Sequence, residues 1–337
     1  MDSRDPGKSN FSRRSMYTIG ADLGATKLAM ALVSENGEVM RETWVPHRIR
    51  TSQDLLATFE LAAEALLLAP MLNSGEIRAL GVSCAGWINP ERTILVGSAI
   101  LGLESVPLTE LLSVRFPNAT VVLQNDGDAT LWGEYVAGAA SGAKGALLFT
   151  LGSGVGGSIM VDGRLLKGAN GFATELGHMP VAVPPGLECA CGSIGCLETV
   201  AGGRSLERTA SNLQATATSP WLAAQPLGVT AREMGEAAEI GDQAAVDAFK
   251  KAAIALADAI AMLIPVVDPD VVVIGGSVAE GVGHLVLPTV REHLNEVAFL
   301  RSRRGIPSIV QAELGPKAAV IGAADFARRV RRQRMPQ

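Results

Sequence analysis

Three apolar runs in this chain stop on glycine, and that repeated strand-end turn narrows the fold more than any other feature. Tyr17 to Leu23 reads as a buried strand that meets Gly24-Ala25-Thr26, with Lys27 to Val33 as a second strand beyond the turn. Ala146 to Thr150 meets Gly152-Ser153-Gly154-Val155-Gly156-Gly157, again with a strand predicted to follow. Asp270 to Ile274 is β-branched and stops on Gly275-Gly276-Ser277. Glycine lacks Cβ, so backbone N–H groups in such turns approach phosphate oxygens without a clash. The second turn is strand–turn–strand, unlike the strand–turn–helix of a dinucleotide fold. Two matching glycine hairpins in two halves predict an internal duplication that holds a nucleotide between the halves. Asp22 stands at the mouth of the first turn, where a carboxylate can hold hydrated Mg²⁺. Taken alone, D-x-G-x-T is equally compatible with an ordinary hairpin.

The length of 337 residues and a hydrophobic share of 48% suit two domains, each with its own core. A net charge of −5 argues against a nucleic-acid binder. No apolar run is long enough to span a bilayer, and no signal-peptide pattern is present. Four cysteines, three of them at metal-binding spacing, point to a reducing cytoplasm. Residues 1–15 are polar and unpatterned, the composition of a disordered tail. The expected smaller domain is 16–122 with 315–337, and the larger is 123–314.

Periodicity predicts further elements. Asn36-Gly37 is a hairpin turn, with a third strand running to about Trp44. Helices are expected over 51–69, 107–115, 203–213, 229–239, 242–264, 283–295 and 317–332, and strands over 77–84, 120–123 and 308–311. Gly86, in Ser83-Cys84-Ala85-Gly86-Trp87, lets the chain turn close to a ligand, and Cys84 reads as a core residue. The basic stretches RSRRG at 301–305 and RRVRRQR at the C-terminus read as a solvated loop and a charge-complemented helix end rather than a nucleic-acid patch.

Two stretches carry the chemistry. After the strand ending at Leu123 comes Gln124-Asn125-Asp126-Gly127-Asp128, followed by a helix. In open α/β sheets ligands sit beyond the carboxyl ends of strands. A helix cap would explain one of these polar residues but not three. The second stretch, Glu175 to Glu198, contains His178, Cys189, Cys191 and Cys196 as H-x10-C-x-C-x4-C. Three thiolates and an imidazole complete a tetrahedral zinc shell with no open position, which marks a structural metal. That metal would clamp the loop and aim Glu175 and Glu198. Free thiols are the alternative; a bridge between alternate-position cysteines would be strained.

With these residues in place, the glycine motifs at 22–26, 152–157 and 271–277 look like the two phosphate motifs and the adenosine motif of the actin-like ATPase superfamily. Adding Asn125-Asp126, ELGH at 175–178 and CxCGxxGCxE at 189–198, residues 17 to about 330 resemble the ROK family (repressors, open reading frames and kinases), specifically its bacterial sugar kinases. The resemblance implies an α/β, two-domain actin-like ATPase (ribonuclease H-like) fold with an interdomain cleft. It implies ATP-dependent phosphorylation of a hexose, at the 6-hydroxyl, with Mg²⁺ and one structural Zn²⁺. Asp126 matches the general base. Asn125, Glu175, His178 and Glu198 match the sugar contacts, and Gly86 and Asp128 are placed with them. Asp22, Gly24, Thr26, Lys27, Gly152, Gly154, Gly156, Gly275 and Gly276 are assigned to ATP. A homo-oligomer, dimer or tetramer, is expected, with no nucleic-acid or membrane partner.

Two departures bear on the sugar. Kinases resembling this one usually carry Asn about where Ile100 stands, and Asp128 replaces a frequent Asn. The added carboxylate favours a protonated amine on the substrate, which makes an amino-sugar kinase, such as a kanosamine kinase, the alternative. A ROK regulator is the rival of another class. About sixteen residues precede the first phosphate motif, too few for the DNA-binding domain that such repressors carry.

Overall fold

The computed structural model describes residues 17–68, 74–181, 186–297 and 305–334. The proposed tail at 1–15 and Arg301 to Arg304 lie outside the described residues. The chain divides into two compact units, one running to Asp126 and taking the chain back from Val320, the other Gly127–Ala319.

The first unit is built on β1 (Tyr17–Leu23), β2 (Lys27–Val33), β3 (Val39–Pro46), α1 (Ser52–Leu68) and β4 (Ile77–Cys84). A small antiparallel sheet follows, of β5 (Trp87–Ile88), β6 (Leu95–Ser98) and β7 (Leu103–Val106); then come α2 (Leu108–Arg115) and β8 (Thr120–Asn125). The main sheet has the order β3-β2-β1-β4-β8, with β1/β2 and β2/β3 antiparallel and β1/β4 and β4/β8 parallel. Leu55, Phe59, Ala62, Ala63 and Leu66 of α1 recur at helical spacing and are fully buried in the same core as Ile19, Leu28 and Leu80. Burying each large side chain contributes about 1.5–3 kcal/mol.

The helix Ala318–Arg334 covers another part of this sheet, against Ala79 and Val122. Its backbone comes so close that a Cβ on Gly20 or Gly81 would lie 1.8 Å from the carbonyl oxygens of Val320 and Ala323. Glycine at the middle of two central strands is therefore a packing requirement. The terminal arginines do more than complement a helix end. Arg328 is 5% exposed, pairs with Asp325 and donates to the backbone oxygens of Ser34 and Glu35, both at 2.8 Å. Arg331 donates to the Arg78 backbone oxygen at 3.1 Å.

The second unit begins with α3 (Asp126–Ala137), whose first residue belongs to the first unit. It continues through β9 (Ala146–Leu151), β10 (Val155–Val161) and β11 (Arg164–Leu165). After the cysteine loop come α4 (Glu198–Ala201), α5 (Gly203–Ala215), α6 (Pro220–Ala223), α7 (Ala231–Glu239), α8 (Gln243–Val267), β12 (Val271–Gly275), α9 (Ser277–Glu296) and β13 (Ser308–Gln311). The sheet order is β11-β10-β9-β12-β13, three strands antiparallel and the next two joined in parallel. That repeats the order and sense of the first sheet, the pattern expected of an internal duplication.

Three expectations are corrected. The helix predicted over 283–295 starts at Ser277, because Gly276 turns the chain directly into it with φ 89°. The third glycine turn is thus strand–turn–helix. The strand after the second turn starts at Val155, so Gly156 and Gly157 lie in the ladder opposite Thr150 and Phe149. The sheet β5-β6-β7 has no counterpart in the sequence reading; its strands are two to four residues long, too short for a periodic signal. Among the described residues, no helix is long and apolar enough to cross a membrane.

Candidate active site

In the first unit, register brings the polar strand ends together. The parallel pairing sets Asp22 opposite Ser83, and Cys84 opposite Asn125, so the carboxyl ends of β1, β4 and β8 lie side by side. Ser83 Oγ donates to Asp22 Oδ1 at 2.7 Å. Burial pushes the Asp22 carboxyl up, opposed by the Ser83 hydrogen bond and the charge of Lys27. Cys84 is fully buried between carboxylates. Desolvation first, then the charges of Asp22 and Asp126, raise its thiol well above the ordinary value, so it stays protonated. Asn125 Nδ2 donates to the Gly86 carbonyl at 3.2 Å. Gly86 must lack a side chain, since a Cβ there would lie 2.4 Å from the Gly97 oxygen. Asp126 is exposed at the first position of α3. Ile100 is exposed in the β6–β7 turn.

The first glycine turn, Gly24 to Thr26, is closed by Gly24 N–H donating to the Lys27 carbonyl at 3.1 Å. Ala25, Thr26 and Lys27 are exposed. In the second unit, the turn between β9 and β10 is Gly152-Ser153-Gly154, closed by Gly152 N–H to the Gly154 carbonyl at 3.0 Å. The start of α5 grips this turn from behind, with Gly203 N–H to the Gly152 carbonyl at 2.8 Å and Arg204 N–H to the Ser153 carbonyl at 3.0 Å. Gly156 lies beyond the turn, where a Cβ would meet Thr150 Oγ1 at 2.6 Å.

The cysteine loop folds back on itself. Cys189 N–H donates to the Ser193 carbonyl, and Gly192 N–H to the Cys189 carbonyl. The ligand atoms of His178, Cys189, Cys191 and Cys196 all lie within 4.8 Å of one another. Cys189 Sγ is 3.6 Å from His178 Nδ1, and Cys191 Sγ is 3.7 Å from Cys196 Sγ. A zinc tetrahedron with Zn–S of about 2.3 Å has edges of about 3.8 Å, so the four residues fit that metal. The Cys191 thiol is lowered to about 6, chiefly by the Ser193 backbone N–H, whereas burial raises Cys189 and Cys196, which a metal would have to deprotonate. Glu198, half-buried, sits between this cluster and the glycine turn. Cys189 Sγ donates to its Oε1 at 2.8 Å, and its Oε2 lies where a Cβ on Gly154 would come within 2.7 Å. Glu175 is exposed at the start of the short turn Leu176–His178. Asp128 is 9% exposed and accepts from Ser158 Oγ at 2.7 Å.

Beside Gly275-Gly276, a cavity of about 510 Å³ opens between α5, α7 and α9, with Glu207, Thr230, Arg232, Gly235, Ser277 and Gly281 among its lining residues. Of these only Ser277 was singled out in the sequence. The others come from three helices remote in sequence, and a Cβ on Gly235 would lie 2.6 Å from Val282 of α9. The capping box of Thr230 and Glu233, which starts α7, is the one local signal that marks this wall.

The ROK family profile matches residues 18–330. The chain is similar to a glucokinase of Streptomyces coelicolor, 33% identical over 317 residues, covering 92% of this chain and 97% of that one. It is similar to a glucokinase of Aeropyrum pernix at 34% identity, covering 92% and 96%. The solved structure of a ROK family glucokinase from Streptomyces griseus, in complex with glucose and AMPPNP, superposes with a TM-score of 0.77 at 31% identity, covering 93% of this chain and 99% of that one. Such likeness along nearly the whole length agrees with two repeated sheets, their glycine turns and the histidine–cysteine cluster: this chain belongs to the ROK family, with its two-domain actin-like ATPase fold.

Proposed function

We propose that this protein is an ATP-dependent hexose kinase, glucokinase-like, acting on the 6-hydroxyl. The observation that carries the reading is the alignment of Asp22, Ser83 and Asn125 at parallel strand ends, with Asp126 exposed beside them, in a chain 33% identical to a glucokinase.

Asp126 accepts the proton of the attacking sugar hydroxyl as its oxygen bonds to the γ-phosphorus. The bond between that phosphorus and the β–γ bridging oxygen breaks, and ADP leaves. Asn125, whose amide donates to the Gly86 carbonyl, stands next to Asp126 to meet a sugar hydroxyl. Glu175, His178 and Glu198 supply the remaining directional hydrogen bonds. With Nδ1 of His178 turned to the cysteines, its Nε2 is left for the sugar. Asp22 would hold hydrated Mg²⁺, and Gly24, Thr26 and Lys27 of the first unit and Gly152 and Gly154 of the second are the groups assigned to the phosphates. The cavity beside Gly275 and Gly276 takes the adenosine. Phosphoryl transfer needs positioning and charge neutralisation more than covalent help.

His178, Cys189, Cys191 and Cys196 would hold a zinc ion that closes the loop bearing Glu198 and supplies no step of the transfer. The amino-sugar reading is not favoured, because Asp128 is buried and Ser158 takes its Oδ1. A cytoplasmic homo-oligomer completes the proposal, its size to be measured by light scattering. The direct test is ADP release with ATP and a panel of glucose, mannose, N-acetylmannosamine, glucosamine and kanosamine. Glucose should give the highest kcat/KM; absence of turnover with every sugar would return the chain to the regulator class.

A further inference from the structure

His47 follows β3, distant in sequence from every residue assigned above, yet it makes two hydrogen bonds to the first glycine turn. Its backbone N–H donates to the Thr26 carbonyl at 2.9 Å, and its ring Nε2 lies 3.1 Å from the Gly24 carbonyl. A carbonyl only accepts, so Nε2 carries the proton. Among the described residues, Nδ1 is buried without a partner.

The consequence lies in the peptide planes. In a trans peptide the C=O of one residue and the N–H of the next point in opposite directions. Fixing the Gly24 and Thr26 carbonyls on His47 turns the N–H groups of Ala25 and Lys27 away from it. Among the described residues, the N–H groups of Ala25 and Thr26 have no protein acceptor, and both residues are exposed. A turn whose carbonyls are tied back and whose amides stand free is a preorganised anion cradle.

We infer that His47 is a positioning residue for the nucleotide phosphates: it touches no phosphate itself and sets the direction of the peptide groups that do. The inference rests on the reading of Gly24 to Lys27 as a phosphate loop.

The test is steady-state kinetics of the full-length protein with ATP and glucose varied separately, together with equilibrium binding of adenosine. His47→Ala should raise KM for ATP by about threefold to tenfold, the range of one neutral hydrogen bond. KM for glucose and the affinity for adenosine should stay within about twofold, because neither involves the phosphates. His47→Gln, whose amide can donate to the Gly24 carbonyl, should restore most of the loss, while the shorter His47→Asn should not. An unchanged KM for ATP in His47→Ala overturns the proposal, as does a parallel loss for ATP, glucose and adenosine, which would mark general loosening. If His47→Ala does not fold, the Gln and Asn variants decide: equal KM for ATP in the two overturns it. Thr26→Asp, which sets a carboxylate at the exposed mouth of the turn against the phosphate charge, separates the two levels. If it leaves KM for ATP unaltered, the phosphate-loop reading falls and the proposal with it; if it raises KM and His47→Ala does not, the proposal alone fails.

Discussion

Arg92 and Leu123 exchange two hydrogen bonds along the outer edge of the first sheet. Leu123 N–H donates to the Arg92 carbonyl at 3.0 Å, and Arg92 Nη1 donates to the Leu123 carbonyl at 3.2 Å. β8 is the last strand of that sheet, so these groups would otherwise be an open edge three residues before Asp126. Arg92 is 8% exposed, and its guanidinium stacks 4.3 Å from the centre of the Phe326 ring. Its φ of 61° puts a non-glycine residue in the left-handed region. Arg92→Ala should destabilise the protein by about 2–4 kcal/mol through the lost buried hydrogen bond and packing. Arg92→Gly should be about 1 kcal/mol less damaging than Ala, because glycine relieves the backbone. Urea unfolding of the three proteins checks the order; a Gly variant less stable than the Ala variant would contradict the strain argument.

Asp126→Ala should lower kcat by about 10²–10⁴, the usual worth of a general base. The helix it opens should remain, since the rest of α3 is anchored through Glu134, fully buried and accepting from the backbone N–H groups of Ala139, Glu313 and Leu314. Circular dichroism and kcat on the same preparation measure both halves. Near-normal turnover would remove Asp126 from the mechanism.

Native protein should contain about one zinc per chain, and Cys191→Ser should lower Tm and sugar affinity together, because a closed metal shell contributes to folding. The link to affinity is Glu198, whose Oε1 lies 2.8 Å from Cys189 Sγ. Metal analysis and thermal unfolding before and after chelation are the measurements. A metal-free preparation of unchanged Tm and activity would rule the site out.

Asp22 sets a pH dependence whose sign follows from its raised carboxyl. In the unfolded chain the group ionises near about 3.9. Above that pH the folded protein holds the proton longer, so the contribution of Asp22 to stability is full below the unfolded value and is lost as pH rises through the folded one. Asp22→Asn should therefore stabilise the metal-free protein at neutral pH, with the gain fading toward pH of about 4, while turnover should fall if Asp22 holds Mg²⁺ as proposed. Denaturant unfolding at the two pH values tests it; an equal gain at both would show that ionisation is not the cause.

Asp128→Asn should leave the ranking of hexoses and amino sugars unchanged. Asp128→Ala should cost about 1–3 kcal/mol of stability, the price of unpairing the buried Ser158 hydroxyl. A side-by-side kcat/KM series on wild type and the Asn variant decides; a ranking that shifts from glucosamine to glucose would restore Asp128 as a specificity residue.

Much of the site was legible because its signals are local. A glycine turn after an apolar strand, Asn-Asp at a strand end and an H-x10-C-x-C-x4-C array are each set within a short stretch, and the physics they invoke acts over the same stretch. So the strands ending at Leu23 and Cys84, the histidine–cysteine cluster and the exposed Asp126 were all accessible from residues alone. What tertiary structure decided is what depends on register and on distant chain. Nothing near Asp22 announces Ser83 as its partner; parallel pairing of β1 and β4 brings them together. The sequence made Asp128 a candidate substrate contact, and only the packing of α3 on β10 buried it against Ser158. Gly20 and Gly81 look like weak points in strands until the C-terminal helix is seen lying on them. His47 reads as one polar residue after a strand, and only the antiparallel pairing of β2 and β3 carries it back to the Gly24 carbonyl. A sequence specifies which groups a segment can offer; which group each one meets is set by strand order and register, and those are properties of the folded chain.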